Sequence, residues 1–106
     1  MTVTALVDSG SLMSVLPRPE AQELGLQTRG RREFEQVDKS IVTYDLGYAE
    51  VSVVGRAAAV TCVFGDNVAE PILGVTALEL LGLAVDPVND ELVPARGRLG
   101  GFFLGL

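Results

Sequence analysis

The segment Asp8-Ser9-Gly10 constrains the fold more than any other stretch of this chain. It closes one apolar run (Val3, Ala5, Leu6, Val7) and opens another (Leu12, Met13, Val15, Leu16). Serine and glycine between two apolar runs of strand length read as a tight turn. The pattern therefore delivers a carboxylate from the end of a short buried strand into a turn. Val3–Val7 and Leu12–Leu16 are the two predicted strands.

Downstream, Pro17 and Pro19 suit a first helical turn, and Arg18–Leu24 fits a short helix closed by Gly25. The polar stretch Gln27–Arg32 reads as a loop. Glu33–Val54 reads as a strand, a turn near Asp38-Lys39 and a long second strand, in which Ala49, Val51 and Val53 alternate with polar neighbours. Gly55-Arg56 is a hairpin turn, and Ala57–Phe64 returns antiparallel. Glu70–Gly74 is a buried strand leading into a helix over Val75–Leu81, with Gly82 as its left-handed cap. Leu83–Val85 resumes a strand, Asp86-Pro87-Val88-Asn89-Asp90 turns, and Glu91–Pro94 pairs back. Two segments, Glu23-Leu24-Gly25-Leu26 and Leu80-Leu81-Gly82-Leu83, echo each other faintly.

Length and composition narrow the chemistry. A chain of 106 residues makes one domain, with 48% apolar and 21% charged residues, as in a folded globular protein. With a net charge of −6 it has no coherent basic face; Arg29-Gly30-Arg31-Arg32 is followed at once by Glu33 and Glu35. Nucleic acid is therefore not an expected partner. There is no histidine and one cysteine, Cys62. An internal disulfide, a Ser-His or Cys-His relay and a histidine-bearing zinc site are excluded, which leaves carboxylates for any hydrolytic chemistry. The scattered aspartates Asp38, Asp45, Asp66, Asp86 and Asp90 lack calcium-loop spacing, so no metal or other cofactor is expected. Cys62 lies in an apolar run and reads as a packing residue. No signal-peptide pattern opens the chain, and the apolar end Gly100–Leu106 is too short to span a bilayer. A cytoplasmic protein without membrane contact is the expectation.

Three groups of residues, in this order and spacing, resemble a known family. Ala5-Leu6-Val7-Asp8-Ser9-Gly10-Ser11 is followed by Val15-Leu16-Pro17. Pro71-Ile72-Leu73-Gly74 then leads into the segment from Val75 to Pro87. Tyr44–Val51 adds to the likeness. Together they resemble retropepsin-like (clan AA) aspartic proteases, in particular the small prokaryotic type, over roughly residues 5–94. The resemblance implies an all-β, closed β-barrel monomer with one or two short helices, spanning residues 1–95. Residues 96–106 would form a Gly/Arg-rich apolar tail, either loose or part of an interface. It also implies a homodimer cutting peptide or protein substrates, because two carboxylates must share a proton and each chain supplies one. Asp8 would be the catalytic residue, supported by Ser9, Gly10 and Ser11. Ile72, Leu73 and Gly74 would form a second supporting turn. Val37, Asp38, Lys39 and Ser40 fall where the family carries a flap over substrate, although no glycine occupies this tip.

Two other departures from the family pattern carry expectations. Ser11 stands where retropepsins usually have alanine, and a hydroxyl aimed at the carboxylate would favour its ionised form. Only seven residues precede Asp8, where relatives carry a further strand. The dimer interface is therefore expected to be thinner, or to draw on Leu83–Val85, Leu92-Val93 and Phe102-Phe103. A catalytically inactive dimerisation or peptide-binding module on the same fold is the alternative reading. A regulatory β-domain unrelated to proteolysis ranks below both.

Overall fold

The computed structural model describes residues 1–67 and 69–97. Its centre is a six-stranded sheet ordered β1-β6-β2-β5-β4-β3. The strands are β1 (Leu6–Asp8), β2 (Ser14–Pro17), β3 (Gly30–Glu35), β4 (Ile41–Val53), β5 (Arg56–Gly65) and β6 (Ile72–Gly74). Two helices, α1 (Arg18–Glu23) and α2 (Val75–Leu81), complete the main body. Strands β7 (Leu83–Asp86) and β8 (Glu91–Pro94) form a separate antiparallel pair.

The longest pairing is the β4–β5 hairpin, in register from Asp45↔Phe64 to Val53↔Arg56. Its two-residue loop, Val54-Gly55, has positive φ at both positions, 53° and 74°. That is the turn whose twist matches paired strands. Strand β3 begins at Gly30, inside the stretch expected to be a loop. Pairing of Gly30, Arg31 and Arg32 with Leu46, Asp45 and Tyr44 overrides their polar character.

Helix α2 packs its buried face (Ala77, Leu78, Leu81) on Val60, Cys62, Phe64 and Leu73. Gly82 caps it at φ 68°, a left-handed position that favours glycine. The Arg56 guanidinium donates to the Leu81 and Gly82 carbonyl oxygens at 3.1 and 2.8 Å, satisfying the end of the helix.

The expected closed barrel is not present. Among the described residues β1 and β3 are sheet edges, and β7–β8 stands apart from the main sheet. Closure needs the two edge strands to bond each other; β1 has three residues, and its ladder runs to β6. The tail expected over residues 96–106 lies outside the described residues from 98 onward, including Phe102-Phe103. No helix among the described residues is long and apolar enough to cross a membrane.

Candidate active site

Strand β6 is inserted between β1 and β2, parallel to the first and antiparallel to the second. This arrangement puts Asp8 opposite Gly74 in register. The two glycine-bearing turns, far apart in the chain, therefore meet at one end of the sheet. They are joined by a short series of bonds. The Val75 N–H donates to the Ser11 carbonyl at 2.7 Å, and the Thr76 N–H to the Leu12 carbonyl at 3.4 Å. The buried Ser14 hydroxyl accepts from the Gly74 N–H at 3.0 Å. Sequence reasoning passed over Ser14; its only signal was a polar residue at the start of an apolar strand.

Asp8 is half-buried at the end of β1. Its Oδ1 accepts a hydrogen bond from the Gly10 N–H at 2.9 Å, and its carbonyl accepts from the Ser11 N–H at 3.1 Å. A Cβ at position 10 would sit 3.2 Å from that same Oδ1, so the amide reaches the carboxylate because nothing else occupies the space. Ser9 is exposed, at the edge of a cavity of about 790 Å³ between α2 and β7. The Ser11 hydroxyl donates to the Met13 carbonyl at 2.8 Å. It is thus engaged by backbone and donates no bond to Asp8. Ile72 and Leu73 pair with Leu6 and Val7, and Leu73 reaches the core.

A second cavity, about 490 Å³, opens beside the Asp8 turn. Ser11, Leu12 and Met13 wall it on one side, and Val15 and Val63 form its floor. The β3–β4 hairpin closes the other side with Arg32, Phe34, Gln36, Val42 and Tyr44. Its volume lies within the roughly 300–1,000 Å³ of typical ligand clefts, and the walls are mainly apolar. Sequence reasoning assigned substrate contact to the hairpin tip, Val37, Asp38, Lys39 and Ser40. The residues that face the cavity are those of the hairpin stem.

The tip is held by its own polar groups. The Ser40 hydroxyl lies 2.6 Å from Asp38 Oδ1 and 2.8 Å from Gln36 Oε1, and the Ser40 N–H donates to Asp38 at 2.9 Å. The Ser40 hydroxyl, then its amide, holds the Asp38 carboxyl below the usual range. Lys39 takes the left-handed conformation, φ 69°, that a glycine would ordinarily supply. Among the described residues, no cluster of three or more histidine, cysteine, aspartate or glutamate side chains could hold a metal ion.

A mostly β framework, with one carboxylate turn locked to a glycine turn at the mouth of an apolar cleft, agrees with an aspartic protease fold. A protein-family model described as aspartyl protease matches residues 1–85. The chain belongs to that family, of the retropepsin-like clan AA type. No curated protein and no solved structure matches it.

Proposed function

We propose that this protein is a homodimeric aspartic endopeptidase in which Asp8 from each of two chains forms the catalytic pair. The observation that carries the proposal is the placement of Asp8. The residue is half-buried, its carboxylate held by the Gly10 amide, opposite Gly74, and the turn it opens lines a cavity of about 490 Å³ with apolar walls. Residues 1–95 would form the peptidase domain. Exposed apolar residues lie near the turn, Leu6 and Val7 on the edge strand β1 and Leu80 on α2, where a second copy could cover them.

In the pair, two negative charges within hydrogen-bonding reach are unfavourable, so the carboxyls share one proton. The ionised member removes a proton from a water molecule lying between them, and the water oxygen attacks the scissile carbonyl carbon. The protonated member gives its proton to the carbonyl oxygen, producing a neutral gem-diol intermediate. Collapse breaks the C–N bond as the nitrogen takes a proton, releasing an amine and a carboxylic acid. Gly10 and Gly74 position the carboxylate, Ser9 would bond across the two-fold axis, and the hairpin tip 37–40 would act as a lid.

The test is cleavage of a peptide library at mildly acidic pH, with and without pepstatin. Asp8→Asn is expected to lower kcat by at least roughly 10²–10⁴-fold, the usual worth of a general acid–base group. Sedimentation should show a dimer for both proteins. Wild-type-like cleavage by Asp8→Asn would refute the assignment. Dimers that bind peptides and never cut them would favour the non-catalytic module.

A further inference from the structure

We infer that Arg32 selects peptides carrying an aspartate or glutamate side chain close to the apolar residue that enters the cavity beside Asp8. The inference rests on the peptidase reading and adds a substrate class to it.

Arg31 and Arg32 are adjacent in β3, and strand alternation sends them to opposite faces. Arg31 lies 3.3 Å from Asp45, which also holds Arg18 at 3.1 Å. Arg32 faces the cavity, where it is the one charged residue of the lining among the described residues. Among the described residues no carboxylate comes within ion-pairing distance of it. Its guanidinium carbon instead sits 5.6 Å from the centre of the Phe34 ring. A guanidinium in cation–π contact with a ring keeps its N–H groups available to grip a carboxylate at two points.

The other charges near this segment do not blunt that site. Glu33 and Glu35 pair with Thr43 and Ile41 on the face opposite the register pairs Arg32↔Tyr44 and Phe34↔Val42. Asp66 approaches the far end of the wall, 3.5 Å from the Tyr44 hydroxyl. The whole chain carries a net charge of −6 and so repels an acidic peptide at long range. A preference for acidic peptides would therefore have to arise locally, at Arg32.

The experiment has two arms. In the first, wild type cleaves a randomised octapeptide library, and peptides differing only by Glu or Gln at the enriched position are then compared. The expected kcat/KM ratio is about fivefold in favour of Glu near pH 6, the worth of a partly exposed ion pair. It should fall toward one below about pH 4.3, where the glutamate protonates. Arg32→Gln should bring the ratio near one, Arg32→Lys should retain part of it, and Arg32→Glu should turn the preference to a lysine peptide. In the second arm, immobilised Asp8→Asn protein retains peptides from the same library. Acidic enrichment there, lost in the Asp8→Asn/Arg32→Gln double variant, supports the inference even if wild type cuts nothing. Cleavage that depends on Asp8 but shows no acidic enrichment overturns the inference and leaves the peptidase reading standing. An unchanged Glu/Gln ratio in Arg32→Gln overturns it as well.

Discussion

Replacing Gly74 with alanine isolates the close approach on which the candidate site is built. Gly74 has φ −89° and ψ 175°, an extended conformation that alanine adopts freely, so the substitution tests space and not backbone freedom. The added Cβ would lie 2.6 Å from the Met13 carbonyl oxygen, 2.7 Å from its carbon and 2.8 Å from the Ser11 carbonyl oxygen. All three are backbone atoms, so no side chain can rotate out of the way. Ordinary contact requires the turns to separate by close to 1 Å. The same displacement stretches the bonds from Val75 to Ser11 (2.7 Å) and from Gly74 to Ser14 (3.0 Å). Overpacking of this kind costs about 1–3 kcal/mol, and each weakened bond adds about 0.5–1.5 kcal/mol. The expected loss is about 2–6 kcal/mol, a large share of the roughly 5–15 kcal/mol that holds a small domain folded. Equilibrium urea unfolding reads it as a lower midpoint at constant slope. Gly30→Ala is the control, because nothing lies within 4 Å of its built Cβ, and it should change stability by less than about 0.5 kcal/mol. A Gly74→Ala protein as stable as Gly30→Ala would refute the close approach of the two turns.

Ser14→Ala should cost about 1–3 kcal/mol in thermal or urea unfolding, because it leaves the Gly74 N–H buried without an acceptor; an unchanged midpoint would contradict that bond. Val54 is a β-branched residue held at φ 53° in the β4–β5 turn. Val54→Asn, which creates an Asn-Gly turn, should stabilise by about 0.5–1 kcal/mol, and a neutral or negative change would argue against the turn type. Burial pushes the Cys62 thiol up from 9.0 to about 11, so it should react with a disulfide reagent only after unfolding. The fold retains this proton when the unfolded chain has lost it. Stability from the thiol is therefore complete below about pH 9 and is lost as pH rises toward about 11. Cys62→Val should lack that alkaline decline.

Local signals were legible wherever neighbours in sequence set the conformation. The helix Val75–Leu81 and its cap Gly82 follow from an apolar run ending in glycine, and they stand at the residues expected. The turn Asp86–Asp90 and its return strand were equally readable, since Asp86 accepts from the Val88 and Asn89 amides within the turn itself. The start of β3 was not readable, because Gly30–Arg32 is polar and becomes a strand only by pairing with β4. The hairpin tip reads as a turn near Asp38-Lys39 without a glycine, and Lys39 takes the left-handed conformation, supported by the Asp38–Ser40 bonds beside it. The sequence motif suggested a hydroxyl directed at Asp8; the backbone path of Ser11–Met13 directs it to the Met13 carbonyl.

The order of residues alone determined that Asp8 ends a strand in a Ser-Gly turn, that a glycine turn precedes a short helix, and that histidine chemistry is absent. These depend on residue type and short-range geometry. Only the tertiary structure decided that β6 slots between β1 and β2, bringing Gly74 opposite Asp8 and making Ser14 the acceptor between the two turns. It likewise decided that the stem of the β3–β4 hairpin, with Arg32 over the Phe34 ring, walls the cleft, and that the sheet stays open. Contacts between residues sixty positions apart are set by packing and hydrogen bonding across strands, and no local pattern in the chain encodes them.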